Sequence, residues 1–136
     1  MNGLQAITAL AKYIKQNLTL EDVAVFKSQK IAAYSGNYIV VNSLPFTTAF
    51  ARNTVNVNVH APQLSTGEVD TETLQKILAE VERIIPIDDD SEENLEQQLV
   101  LDNCYFARYC DSNAMQDTDK TYFINVKVKV TNYYGN

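Results

Sequence analysis

The chain has 136 residues, of which 46% are hydrophobic and 10% aromatic, and it carries 11 basic and 17 acidic residues for a formal net charge of -6. That length holds one domain, 1–136, with a core large enough to fold without a metal or a disulfide, and no window approaches the run of about 20 apolar residues that a membrane-spanning helix needs. Six acids crowd between positions 88 and 96, and 17 less these six leaves 11 against 11 bases elsewhere; without clustered Lys and Arg, nucleic acid is a poor candidate for the main partner.

Leu4, Ile7, Ala11, Ile14 and Leu18 recur at spacings of three and four, which predicts a helix over about 3–17 with one apolar stripe. Lys12 and Lys15 lie off that stripe, near the end where cations suit the helix dipole. Residues 19–33 are ambiguous: Thr19-Leu20-Glu21-Asp22 resembles a capping box with Asp for Glu, whereas Val23-Ala24-Val25-Phe26 reads as a short strand, the reading preferred here. Tyr34-Ser35-Gly36-Asn37 is a turn. Tyr38-Ile39-Val40-Val41-Asn42 is a continuous apolar run, consistent with a strand covered on both faces. A loop or hairpin connection containing Pro45 occupies 43–52.

Asn53-Thr54-Val55-Asn56-Val57-Asn58-Val59-His60-Ala61-Pro62 is the best-patterned strand. Val55, Val57 and Val59 point one way and Asn56, Asn58 and His60 the other, and Pro62 ends it. Residues 63–69 form a polar connector with Gly67. Asp70 or Thr71 then caps a second helix, whose stripe is Leu74, Ile77, Leu78, Val81, Ile84 and Ile85, with Pro86 as its stop. The acidic segment 87–98 comes next and reads as a solvated loop; an EF-hand would need glycine where Glu93 stands. A strand is expected over 99–110 and another from Tyr122 to Val130, the two pairing antiparallel across a polar connector at 111–120. The last residues, 131–136, have no period and form a tail that frays or docks on a neighbour. These elements describe an α+β domain: an antiparallel or mixed sheet of about four to five strands with two main helices packed on one face.

No motif of catalysis or phosphate binding occurs, neither G-x-S-x-G, P-loop nor G-x-G-x-x-G. His60, the only histidine, is expected on the surface rather than as a general base. Cys104 and Cys110 lie six residues apart on one strand, about 20 Å at ~3.3 Å per residue, too far to pair with each other. No metal ligand set, cofactor or catalytic residue is expected. Two asparagines alternating in a strand are disfavoured intrinsically, so Asn56 and Asn58 call for hydrogen-bond partners, whether solvent or a neighbouring subunit. Without a basic, apolar and small-residue leader, a soluble intracellular setting, or a structure assembled inside a cell, is expected.

Ile39-Val40-Val41-Asn42-Ser43-Leu44, then Val55-Asn56-Val57-Asn58-Val59-His60-Ala61-Pro62, then a helix opened by Asp70-Thr71 and two closing strands resemble the tail-terminator or tail-completion (neck) proteins of tailed bacteriophages, particularly those of Bacteroides-like hosts. The resemblance covers most of the chain in order of elements and is specific over 39–62; the acidic segment has no counterpart in it. It implies a structural virion protein with no catalysis and no cofactor, assembled in the host cytoplasm. Six copies would ring the head-proximal end of the tail, stop tube polymerisation and join the neck. Its partners would be itself, the tail-tube protein and connector proteins, with no membrane, and with DNA only passing through the channel. Under this resemblance the subunit-contact candidates are Asn56, Asn58, His60, Asn125, Lys127, Lys129, Tyr133 and Tyr134. Asp88, Asp89, Asp90, Glu92 and Glu93 become candidates for a channel-facing acidic loop. The alternatives are another head–tail connector, such as a head-completion or adaptor protein, and a small intracellular binding module with no virion role.

Overall fold

Helix α1 (Gly3–Asn17) opens on a cap supplied by its own sequence. Asn2 Oδ1 accepts the Gln5 N–H at 2.8 Å, and Gln5 Oε1 accepts the Asn2 N–H at 2.8 Å, satisfying N–H groups that a helix start would otherwise leave open. The computed structural model that shows this describes residues 2–46, 52–88, 98–117 and 120–132. The buried stripe of α1 is Gly3, Ala6, Ile7, Leu10, Ala11 and Ile14. Leu4, expected in that stripe, is 68% exposed; it lies on the stripe's flank in the first turn, where the helix's buried contact is made by Gly3 instead. A Cβ at position 3 would come within 3.0 Å of Ser43 Oγ, so the small residue lets the helix start sit close to the chain after β2.

Helix α2 (Thr71–Ile84) is capped by Asp70, whose Oδ1 accepts the Thr73 N–H at 3.1 Å and whose Oδ2 accepts the Thr73 hydroxyl at 2.7 Å. Its buried residues are Leu74, Ile77, Leu78, Val81 and Ile84, the expected stripe. The two helices are tied at their C-terminal ends. Glu80 Oε1 accepts the Thr19 N–H (2.7 Å) and the Thr19 hydroxyl (2.5 Å), and Arg83 donates to the Asn17 carbonyl (2.7 Å) and to Glu80 Oε2 (3.0 Å). Thr19 therefore serves as a link between helices rather than as the cap of a new one, and Val23 to Phe26 belong to a strand, the preferred of the two readings.

The strands are β1 (Val23–Lys27), β2 (Asn37–Asn42), β3 (Arg52–Pro62), β4 (Leu99–Leu101), β5 (Cys104–Asp111), β6 (Met115–Gln116) and β7 (Thr121–Asn132). They form one curled, mixed sheet in the order β1-β2-β3-β7-β5-β4, with β6 pairing to β7 as well. Among the described strands β1 and β2 run parallel and the other strand pairs are antiparallel; an isolated parallel bridge joins Ile87 to Arg108. Among the described residues seven strands replace the four to five expected, for two physical reasons. The run 99–110 breaks at Asp102 and Asn103, both with positive φ (50° and 64°), a two-residue turn of the kind that joins hairpin strands and for which Asp and Asn are suited. The connector 111–120 contributes β6, and β5 carries a register shift between Arg108 and Cys110, the mark of a bulge that adds local twist. Thr131 and Asn132, expected in a tail, belong to β7; Tyr133 and Tyr134 lie outside the described residues.

One core lies between the helices and one face of the sheet. Val55, Val57 and Val59 from β3 meet Ile124, Val126, Val128 and Val130 from β7, Ile39 and Val41 from β2, and Phe106 and Cys104 from β5. Arg108 ends that face. Its Nε donates to the Ile85 carbonyl at 2.6 Å and its Nη2 to the Glu82 carbonyl at 3.2 Å, so a strand side chain satisfies the C-terminal carbonyls of α2 where Pro86 stops the helix. Cys104 is buried and Cys110 exposed, both as free thiols; burial pushes the Cys104 thiol pKa up.

Candidate functional site on the polar face of the sheet

Register lays the other face out in rows that cross β2, β3 and β7. Tyr38, His60 and Phe123 form one row, Val40, Asn58 and Asn125 the next, and Asn42, Asn56 and Lys127 the third; Thr54 and Lys129 come after them on β3 and β7. Paired residues share a side of a sheet, so six of the expected contact residues, Asn56, Asn58, His60, Asn125, Lys127 and Lys129, come together on one surface. Tyr133 and Tyr134 complete that set in the sequence but are not among the described residues.

The first row is a stack of rings. Tyr38 and His60 are 4.3 Å apart between centroids and 9° from parallel; His60 and Phe123 are 5.2 Å apart and 20° from parallel. Phe26 and Tyr34 approach Tyr38 edge-on at 6.0 Å each. His60 is thus no surface histidine, as the alternation suggested, but only 7% exposed. The cause is its two neighbours across the sheet, both aromatic, which take up the imidazole faces. Asp117, from the loop between β6 and β7, places Oδ2 3.7 Å from His60 Nδ1.

The second and third rows form a ladder of amides. Asn56 donates to Asn42 Oδ1 (3.3 Å), Asn125 donates to Asn56 Oδ1 (3.2 Å) and to Asn58 Oδ1 (2.8 Å), and Lys127 Nζ donates to Asn56 Oδ1 (3.4 Å). The partners that strand asparagines require are therefore one another. Asn56, Asn58, Asn125, Lys127 and Lys129 are all half-buried. Beyond the ladder, Lys129 donates to Asp88 Oδ2 at 2.7 Å and the Thr54 and Tyr109 hydroxyls lie 2.9 Å apart. Asp88, expected in a solvated loop, is held further by its N–H on the Arg108 carbonyl at 2.7 Å. Asp89, Asp90, Glu92 and Glu93 of that acidic segment lie outside the described residues.

Between these rows and the loops at either side lies a cleft of about 350 Å³, lined by Lys30, Tyr38, Val40, Asn42, Asn58, His60, Asp117 and Phe123. Lys30 reaches it from the loop after β1, where its Nζ donates to the Ala32 carbonyl at 3.4 Å. Among the described residues the lining combines amide donors and acceptors, a cation, a carboxylate and apolar walls, a composition suited to orienting a small polar group. Among the described residues its lining has no Ser, Thr or Cys side chain. Among the described residues no group of three or more His, Cys, Asp and Glu could hold a metal, and no helix is long and apolar enough to cross a membrane.

Of the cleft, the sequence singled out Asn58 and His60. Lys30, Tyr38, Asn42, Asp117 and Phe123 were missed as site residues. The apolar run 38–42 did place Tyr38, Val40 and Asn42 on a strand covered on both faces, and Phe123 shares parity with Asn125. Nothing local marks Lys30 or Asp117, which the turns around β1 and β6 deliver. No family model matches the chain, and no curated protein matches it.

Proposed function

We propose that this chain is a structural subunit of a tailed-bacteriophage virion, a tail-terminator or tail-completion protein that rings the head-proximal end of the tail and joins it to the neck. The observation that carries the reading is the pair of unlike sheet edges. β1 and β4 stand at opposite ends of the strand order, and among the described residues each pairs on one side only. Ile31 is exposed in the loop after β1; Val100 on β4 and Tyr109 on β5 are exposed at the other end. A closed ring needs a heterologous contact between two different patches of each subunit, and an open strand edge beside exposed apolar side chains is a natural half of one. The succession of a helix, three strands, a helix and closing strands supports the same reading, since the resemblance implies that order.

The test uses purified protein, alone and mixed with the tail-tube protein of the same phage, under the electron microscope. Rings that cap tubes and limit their growth are expected. A protein that stays monomeric and leaves tube length unchanged contradicts the reading. The cleft favours a second reading, a small intracellular binding module, which would show ligand binding with no effect on tubes. Under either reading the polar face serves as a binding surface.

A further inference from the structure

The ladder of asparagines has a direction, and Lys127 sets it. An ammonium can only donate, so the Asn56 atom facing Lys127 Nζ must be the oxygen. With Oδ1 of Asn56 turned towards β7, its NH2 points towards β2, where Asn42 must answer with its own oxygen. Asn125 donates to that same Asn56 oxygen, and its NH2 also meets Asn58, which must therefore offer oxygen as well. Both outer members, Asn42 and Asn58, have their oxygens engaged inside the ladder. Their NH2 groups have no hydrogen-bond partner among the described residues, and both side chains line the cleft.

The geometry points to the cleft as a binding site for an uncharged planar amide, such as a primary carboxamide or a lactam. Its carbonyl oxygen would accept from the Asn42 and Asn58 NH2 groups and its own N–H would donate to Asp117, with Val40 and Phe123 against its apolar part. A carboxylate would meet the same two donors but face Asp117 as a like charge. A cation would meet Asp117 as an opposite charge but face Lys30 and two NH2 groups that it cannot use. The buried His60 ring between Tyr38 and Phe123 gives the site a fixed wall, since aromatic neighbours lie against both of its faces. The carboxamide can come from a free small molecule or from the side chain of Asn or Gln in a peptide. This inference is independent of the ring: it uses neither sheet edge, and it stands or falls whether or not the chain caps a tail.

The experiment is an NMR titration of the full chain that tracks the side-chain NH2 signals of Asn42 and Asn58. The probes are nicotinamide, nicotinate and 3-picolylamine, which share a ring and differ in the charge of one group, together with the acetylated, amidated peptide Gly-Gln-Gly. Saturable shifts at these two NH2 pairs are expected with nicotinamide or with the peptide; whichever of the two binds more tightly identifies the source. Nicotinate and 3-picolylamine should bind at least about tenfold more weakly, as a like charge or unpaired donors in the site require. Lys127→Met should weaken carboxamide binding about tenfold with an unchanged backbone spectrum outside the polar face, because the ladder loses the group that orients it. Asn58→Leu should abolish binding. Absence of saturable shifts with both carboxamide probes, equal binding of the charged probes, or undiminished binding by folded Lys127→Met overturns the inference.

Discussion

The two faces of β3 are made by alternate residues of one strand, yet they are built by different physics. Val55, Val57 and Val59 are wholly buried against the helices, where apolar area removed from water provides the stabilisation. Asn56, Asn58 and His60 are also withdrawn from solvent, half-buried or buried, but by hydrogen bonds and ring stacking with β2 and β7. The polar side of an amphipathic strand is thus an organised layer of its own. Its net contribution to stability should be small, since each hydrogen bond there replaces one to water, while its contribution to the shape and donor pattern of the cleft is large.

Mirror substitutions put the largest strain on that contrast. Val57 lies between Val41 and Val126 in the sheet. Val57→Asn loses the burial of one side chain and sets an unpaired amide in the core, and urea unfolding should register a loss of about 3–5 kcal/mol. Arg108→Met tests the rim of the same face. It removes the donors to the Ile85 and Glu82 carbonyls and should cost about 1–3 kcal/mol, with hydrogen-exchange protection falling first in the last turn of α2. A smaller loss for Arg108→Met than for exposed control substitutions would mean that water caps α2 equally well.

Glu80 belongs to neither face, and it separates helix docking from sheet packing. The hydrogen bond from Arg83, and after it that from Thr19, lowers its pKa to about 2 from 4.5. A folded-state pKa below the unfolded one stabilises the fold above about pH 4.5, and the contribution is lost as pH falls towards 2. The Arg83 side chain is half exposed, so solvent screening leaves about 1 kcal/mol. Acid unfolding of Glu80→Gln should be shallower than that of the wild-type chain across this window, and the two should differ most above it. The smallest effect is the converse of Val57→Asn. Asn56→Val gains strand propensity while it breaks the ladder at its centre, and its stability should stay within about 1 kcal/mol of wild type. A loss as large as that from Val57→Asn would erase the distinction between the two faces.

Both helices were legible because each carries a periodic stripe, and Asp70 and Pro86 bracket α2 almost to the residue. The Val–Asn alternation likewise marked β3 and the identity of its core face. The features hidden from sequence reasoning arise from pairing. His60 is polar and comes after two asparagines, so its parity alone suggested solvent; only the register that sets Tyr38 and Phe123 beside it shows why it is buried. Asp102-Asn103 sits inside an apolar-rich stretch that reads as one strand until positive φ at both residues breaks it in two. Lys30 and Asp117 are far apart in sequence and reach the cleft from loops, with no local pattern to connect them. The Asn2–Gln5 box at the start of α1 was present in the sequence as Asn with Gln three residues later, a signal that the stripe of apolar residues overshadowed.

The role proposed for the chain is tested most directly by electron microscopy of a lysate from the phage with this gene disrupted. Overlong, headless tails beside filled heads are the expected result. Tails of normal length that fail to join heads would transfer the protein to a completion or adaptor role, and intact virions would contradict a place in the neck altogether.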